Sequence, residues 1–355
     1  MSAVPVKETL ESLVRGHTLS VDHARGFFEQ LLQGTLDPTQ IAAALAVIAT
    51  RSPTTDEILG AAQAMRAHVT PVPIDREQLA QQGVALLDTC GTGGTAKTFN
   101  VSTLAALVAA SAAPTKVAVA KHGNRSRTGR GSAEVLKGLG VNVDASPQLQ
   151  ARCLREARVC FCFAIHHHPA MRHAGPVRAA LGFPTVFNVL GPLTNPAGAG
   201  CQLVGVYDEA LRPRVAGALA GLRCHSAWVM RSEDGLDELS INAPTRVTTV
   251  TRTVDGANLT ELVVEPRSIG IRPAPMDELA ANDVGDAVRI ARALLLGEGG
   301  PKRDMLVLNA GAALLVAGAV GSMEEGRQLA DRALSSGAAL RTLDALVRIS
   351  NEPAM

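Results

Sequence analysis

The hydrophobic pattern of this chain changes period near residue 84, and that change limits the possible folds more than any other feature. Before it, apolar residues recur only at helical spacing: Leu10 with Leu13, then Ala24, Phe27, Phe28, Leu31 and Leu32. Gly34 and Pro38 separate that helix from the next, expected over residues 38–49, and Ser52, Pro53 and Thr54 open another that ends near His68. Pro71 and Pro73 mark a linker. From residue 84 onward, short apolar runs alternate with helical stretches. VALLD (84–88) and VAVA (117–120) predict buried strands, and 102–112 and 132–139 predict the helices after them. Further strands are expected at VNV from 141, CFCFA from 160, TVF from 185, QLVGVY from 202 and SAWVM from 226. Residues 246–264 read as a β-rich excursion, and the tail from Val284 as mostly helical. Strands alternating with helices imply an α/β domain with a mostly parallel central sheet, here preceded by a small all-helical domain.

Composition narrows the function classes. With 46% hydrophobic residues in 355, the chain can bury a large core, and only 3% aromatic content means that Ala, Val and Leu fill it. A formal net charge of +1 lacks the basic field of a nucleic-acid-binding protein, so no nucleic-acid partner is expected. The six cysteines form no C-x-x-C pair and read as reduced, buried thiols. The N-terminus lacks a signal-peptide core, and the apolar run at 41–50 is too short to span a membrane. A soluble, cytoplasmic protein without a membrane partner is expected.

Two polar loops follow consecutive predicted strands. In DTCGTGG (88–94), Gly91, Gly93 and Gly94 let the backbone turn sharply and approach an anion. Asn100, Ser102 and Thr103 then open a helix, whose free N–H groups suit phosphate. The second loop, KHGNRSRTGR (121–130), carries Lys121, Arg125, Arg127 and Arg130. Glycine turns and Ser/Thr caps are common, and a basic loop can simply be solvated. Two such loops at neighbouring strand ends instead describe a pyrophosphate cradle at the edge where open α/β sheets bind ligands.

DTCGTGG, FNVST and VAKHGNRS, in this order, resemble the motifs that bind phosphoribosyl pyrophosphate (PRPP) in the anthranilate phosphoribosyltransferases. HHHPAMRHAGPVRAALGFPTVFNVLGPLTNPAG (166–198) is similar to that family's longest signature, EDGLDELS (233–240) to its acidic motif, and NAGAALLVAG (309–318) to its tail. The resemblance implies a nucleoside phosphorylase-like fold. A helical domain of residues 1–75, with 168–182 packing on it, would face an α/β domain of 76–167 and 183–355. It also implies a homodimer joined through the helical domain.

The activity implied is transfer of 5-phosphoribosyl from PRPP to anthranilate, a step of tryptophan biosynthesis that uses Mg²⁺. The resemblance places Gly91, Thr92, Gly93, Gly94, Thr98, Asn100, Ser102, Thr103, Lys121 and Ser132 around PRPP. It places Gly91, His122, Asn124, His168 and Arg178 around anthranilate, and Ser102, Asp237 and Glu238 around Mg²⁺. Guanidinium suits the anthranilate carboxylate, which it can meet through two hydrogen bonds. The histidines 166, 167, 168 and 173 point in different directions along one segment and do not read as a zinc site. No general base is identified.

The chain departs from the family pattern in two places. Thr95 and Ala96 follow GTGG where the family has Asp and Gly, in a loop one residue shorter. RTGRGSAE (127–134) is also one residue shorter, and Arg127 stands where a small or apolar residue is usual. Arg127 and Arg130 are expected to supply some of the positive charge on the diphosphate. A related glycosyl-transfer enzyme, such as a nucleoside phosphorylase or a PRPP enzyme with another aromatic acceptor, remains an alternative. So does a non-catalytic relative that binds nucleic acid through the basic loop.

Overall fold

The computed structural model describes residues 4–93, 98–126 and 129–353. Four helices open the chain: α1 (Val6–Val14), α2 (Val21–Gln33), α3 (Pro38–Arg51) and α4 (Thr55–Ala67). Local chemistry sets their ends. The Ser20 hydroxyl accepts from the His23 N–H, and Gly34 closes α2 in the left-handed region at φ 76°. Asp37 and Thr54 cap α3 and α4, each in a reciprocal box with Gln40 or Glu57 three residues on. The side chains of Phe27, Phe28, Leu31, Ile41, Leu45, Ile48 and Ile58 are fully buried between these helices.

After α5 (Arg76–Gln81) come β1 (Ala85–Gly91), α6 (Val101–Ala112), β2 (Val117–Gly123), α7 (Ser132–Gly138), α8 (Pro147–Glu156) and β3 (Val159–Phe163). Then follow α9 (Ala164–His167), α10 (Gly175–Leu181), α11 (Val186–Leu193), β4 (Cys201–Gly205), α12 (Leu211–Gly221) and β5 (Ser226–Ser232). A hairpin of β6 (Thr245–Thr253) and β7 (Gly256–Val264) precedes α13 (Val284–Leu295), α14 (Pro301–Val316), α15 (Met323–Ser335) and α16 (Ala338–Ser350). The sheet runs β3-β2-β1-β4-β5-β6-β7; the first five strands are parallel and the hairpin is antiparallel. Strand order therefore reverses at β1, with β2 on one side and β4 on the other. Ligand crevices of open sheets form at such a point.

Alternate strand residues enter two cores. Leu203, Trp228 and Met230 face one, with α6 and α13 to α16; Val204, Ala227 and Val229 face the other, with α11 and α12. The second core is continuous with the N-terminal helices, because Ala174, Val177, Phe187, Leu190 and Leu193 pack among their side chains. Helix α10 lies on α3, and α11 lies on α3 and α4.

Three segments differ from what their sequence predicts. Residues 141–143 form no strand: the Val141 N–H bonds to the Leu136 carbonyl, and Asn142 is held by Ser350 of α16. Three alternating residues are too few to distinguish a pleat from a turn with two buried valines. TVF from 185 starts a helix. Thr185 precedes it and its N–H is met by the Asn188 side chain, while Val186, Phe187, Val189, Leu190 and Leu193 bury one face at helical spacing. Gly191 and Pro192 in its last turn disguised that periodicity. Finally, β1 and β2 run three residues beyond Asp88 and Ala120, so Lys121, His122 and Gly123 are strand residues. The expected helices over 38–49, 102–112 and 132–139 and the hairpin within 246–264 are present. All six cysteines are buried and unbridged. Among the described residues, no helix is long and apolar enough to cross a membrane.

Candidate active site

The extra strand residues decide which way the polar groups point. Successive side chains alternate across a sheet, so Lys121 and His122 face opposite sides. Lys121 shares its side with Thr89 and α6. Its Nζ donates to the Thr89 carbonyl at 2.5 Å, and the Thr89 hydroxyl donates to the Ser102 carbonyl at 2.8 Å. Glu238 arrives at the same place from the loop after β5. Thr98 Oγ1 donates to its carboxyl at 2.9 Å, and the Ser102 N–H supplies a further bond. A small cavity here is lined by Thr89, Gly91, Ser102, Asp237, Glu238 and Asn309, among others.

This pocket is electrostatically unbalanced. Burial, and then the neighbouring Asp237, push the Glu238 carboxyl up to about 8, against the pull of Thr98 and Lys121. Burial also lowers the Lys121 pKa, opposed mainly by Asp88. A buried carboxyl at this strength, next to a second carboxylate and the Ser102 and Thr98 hydroxyls, offers hard oxygen donors of the kind Mg²⁺ takes. Among the described residues, no three His, Cys, Asp or Glu groups converge as a closed metal cage. The donor set thus fits an ion that draws its remaining ligands from substrate and water.

The other described loop residues lie outside the lining of that cavity. Gly93 turns at φ 66°. The Thr92 N–H donates to the Gly205 carbonyl, and its hydroxyl accepts from the Tyr207 N–H, at 2.9 Å each. Asn100 bridges the two loops, its amide donating to the Arg130 carbonyl at 3.0 Å. Thr103 is buried in the first turn of α6. Ser132 opens α7 and donates to the Asn124 carbonyl at 3.3 Å; Asn124 itself is exposed. Arg130 Nη1 is buried and has no hydrogen-bond partner among the described residues. Gly94, Thr95, Ala96 and Arg127 lie outside the described residues.

On the opposite face, His122 Nδ1 lies 2.9 Å from the Gly191 carbonyl of α11, and its Nε2 lies 3.2 Å from His168 Nε2. A carbonyl only accepts, so His122 carries its proton on Nδ1, and its Nε2 accepts a hydrogen bond from the His168 Nε2–H. Both rings are neutral: burial first, then His168, holds His122 far below the usual histidine range, and burial sets His168 at about 4. The other histidines go elsewhere, His166 to Asp144 and His167 to the Thr70 carbonyl. They do not converge on one point.

Arg178 of α10 lies with its guanidinium 5.2 Å from the centre of the Phe187 ring. It makes no ion pair among the described residues, and burial depresses its pKa. Phe187 and Gly191 belong to the same helix, so α11 connects the arginine platform to the histidine pair.

Three positioning groups went unassigned in the sequence. Asp88, fully buried, accepts from the His122 N–H at 3.0 Å and from Asn195 Nδ2 at 2.8 Å. Asn195 also donates to the Ala120 carbonyl at 2.7 Å, tying β1 and β2 to the turn after α11. Asn309 of α14 holds the segment after Glu238, through Leu239. A charge closing the apolar run VALLD was the one available signal, because a buried carboxylate needs donors.

A helical bundle packed against a switch-point α/β cleft, with Lys121 and an acidic pair on one face and, on the other, an arginine that has no ion pair among the described residues, fits a glycosyl-transfer class. Residues 7–69 match the glycosyl transferase family's helical bundle domain, and residues 83–340 its a/b domain. The anthranilate phosphoribosyltransferase of Rubrobacter xylanophilus is 45% identical over 348 residues, covering 97% of each chain. That of Thermomicrobium roseum is 45% identical over 350 residues, covering 98% of this chain and 97% of its own. Among solved structures, anthranilate phosphoribosyltransferase from Thermus thermophilus superposes with a TM-score of 0.86 at 37% identity, covering 97% of this chain and 99% of that one. The Saccharomyces cerevisiae enzyme in complex with PRPP and Mg gives 0.84 at 25% identity, covering 97% of both. The chain belongs to the anthranilate phosphoribosyltransferase family.

Proposed function

We propose that this phosphoribosyltransferase moves the 5-phosphoribosyl group from PRPP to the amine of anthranilate, releasing pyrophosphate, with each substrate on its own face of the strand ends. The observation that carries this reading is the division of chemistry at β2. Lys121, with Glu238 nearby, serves one face, while the neutral His122–His168 pair serves the other, joined through α11 to Arg178. The diphosphate lies over Gly91, Thr92, Gly93 and Gly94 and the start of α6. Thr98, Asn100, Ser102, Thr103 and Ser132 contribute contacts, and Lys121 contributes charge. Ser102, Asp237 and Glu238 hold Mg²⁺, which when bound supplies positive charge to the leaving pyrophosphate. Anthranilate sits by Gly91, His122, Asn124 and His168, its carboxylate paired with Arg178.

In the transfer, the amine nitrogen bonds to the anomeric carbon as that carbon's bond to a pyrophosphate oxygen breaks. The electron pair leaves with pyrophosphate, and the amine gives up a proton to the released pyrophosphate or to solvent. Lys121 and the N–H groups at the start of α6 stabilise the charge that develops on the leaving group. The neutral histidines add no cation to compete with Arg178, so a single guanidinium orients the acceptor.

The helical unit (1–75, with 168–182) and the α/β unit (76–167 and 183–355) form the two walls of the cleft. Two copies pair through the helical unit, in the cytoplasm; a monomeric mass by light scattering would overturn the pairing. The activity is tested by anthranilate fluorescence. It should fall only when PRPP and Mg²⁺ are both present, and an unchanged signal with both refutes the assignment.

A further inference from the structure

Gly205 ends β4 directly opposite Gly91 of β1, at the reversal of strand order. Neither has a positive φ, so no backbone conformation demands glycine at either place. What they provide is room. A Cβ on Gly205 would stand 1.7 Å from the Asp237 carbonyl oxygen and 2.9 Å from the Asp237 Cβ. One on Gly91 would stand 2.7 Å from Asp237 Oδ2. The acidic segment therefore lies flat on two paired strand ends.

It is gripped from above as well. Asn309 Oδ1 accepts from the Leu239 N–H at 3.0 Å, and its Nδ2 donates to the Leu239 carbonyl and to the Met305 carbonyl, at 2.9 Å each. One side-chain amide thus satisfies both backbone groups of the residue after Glu238, and α14 anchors that amide. Asn309 is itself buried.

We propose that Gly205 and Asn309 are positioning residues that fix the height and direction of the Asp237 and Glu238 carboxylates, so that a divalent cation is held against the diphosphate. The proposal rests on reading those carboxylates as the Mg²⁺ ligands. Its physical basis is the stiffness of the contacts. The nearest atom to Gly205 is backbone, which cannot swing away as a flexible side chain would. A methyl there must lift the segment by on the order of 1–2 Å to reach ordinary contact distance. Mg²⁺ tolerates little departure from octahedral ligand distances of about 2.0–2.1 Å, so such a lift breaks the coordination.

The test compares Gly205→Ala, Asn309→Ala and Asp237→Ala with the unaltered protein. Mn²⁺ binding in the presence of PRPP is read by electron paramagnetic resonance, with circular dichroism as the check on folding. Gly205→Ala and Asn309→Ala should each weaken Mn²⁺ binding at least tenfold, while the KM for anthranilate, bound on the other face, stays within twofold. Unchanged Mn²⁺ affinity in both, with loss in Asp237→Ala, overturns the positioning role and leaves the metal assignment standing. Unchanged affinity in Asp237→Ala removes the metal assignment, and the positioning role with it. Should Gly205→Ala fail to fold, Asn309→Ala decides alone.

Discussion

At the residue scale, the groups with the most functional content are those that their surroundings leave unbalanced. Arg178 is sheltered over Phe187, without a carboxylate partner among the described residues. Arg178→Ala should cost about 1.5–3 kcal/mol of anthranilate use, the worth of a charged hydrogen bond. Steady-state kinetics should show this in the anthranilate KM, with that for PRPP nearly unchanged; an unaltered anthranilate KM excludes Arg178 from the site. His168 gives a pH signature. Burial lowers its pKa to about 4 from an ordinary 6.5, so the folded state resists its protonation. The stability that its neutral form contributes is complete above about pH 6.5 and is lost as pH falls toward 4. The loss amounts to about 3 kcal/mol at most. Thermal midpoints between pH 7 and 4 should fall less steeply in His168→Asn than in the parent. Equal slopes would mean that the ring is not buried neutral.

At the scale of elements, the helical bundle depends on one buried carboxylate. Burial works against the charge on Glu57, but Arg51 and the N–H groups of Thr54 and Leu19 outweigh it and hold its pKa below the usual range. It joins the end of α3, the cap of α4 and the loop before α2. Arg51→Ala would leave that carboxylate buried with its cation removed, which costs about 3–5 kcal/mol. Urea denaturation should register the loss as a lower midpoint at unchanged slope, and a change below about 0.5 kcal/mol, within surface-substitution range, would show the pair to be dispensable. Capping signals made these helices readable in advance. The helix over 186–193 was not readable, because its burial pattern runs through Gly191 and Pro192, which read as turn residues in isolation.

At the scale of the whole molecule, the core of the small helical unit is not self-contained. Ala174, Val177, Phe187, Leu190 and Leu193 complete it from more than a hundred residues downstream. A fragment of residues 1–75 should therefore stay largely unfolded by circular dichroism, and a cooperative thermal transition in that fragment would refute the shared core. The same dependence marks how far the sequence alone could be read. It determined the helical front, the alternation that makes a mostly parallel sheet, the two glycine-bearing loops and the family, because each is written in short-range spacing. Only the tertiary structure decided that Lys121 and His122 serve opposite faces, since that follows from β2 continuing through them. It alone brought Asn195 to Asp88, Asn309 to Leu239 and His168 to His122, across 107, 70 and 46 residues of chain. Hydrogen-bond partners so far apart share no period, and what selects them is the cost of leaving a buried polar group unpaired, a quantity defined only once the chain has packed.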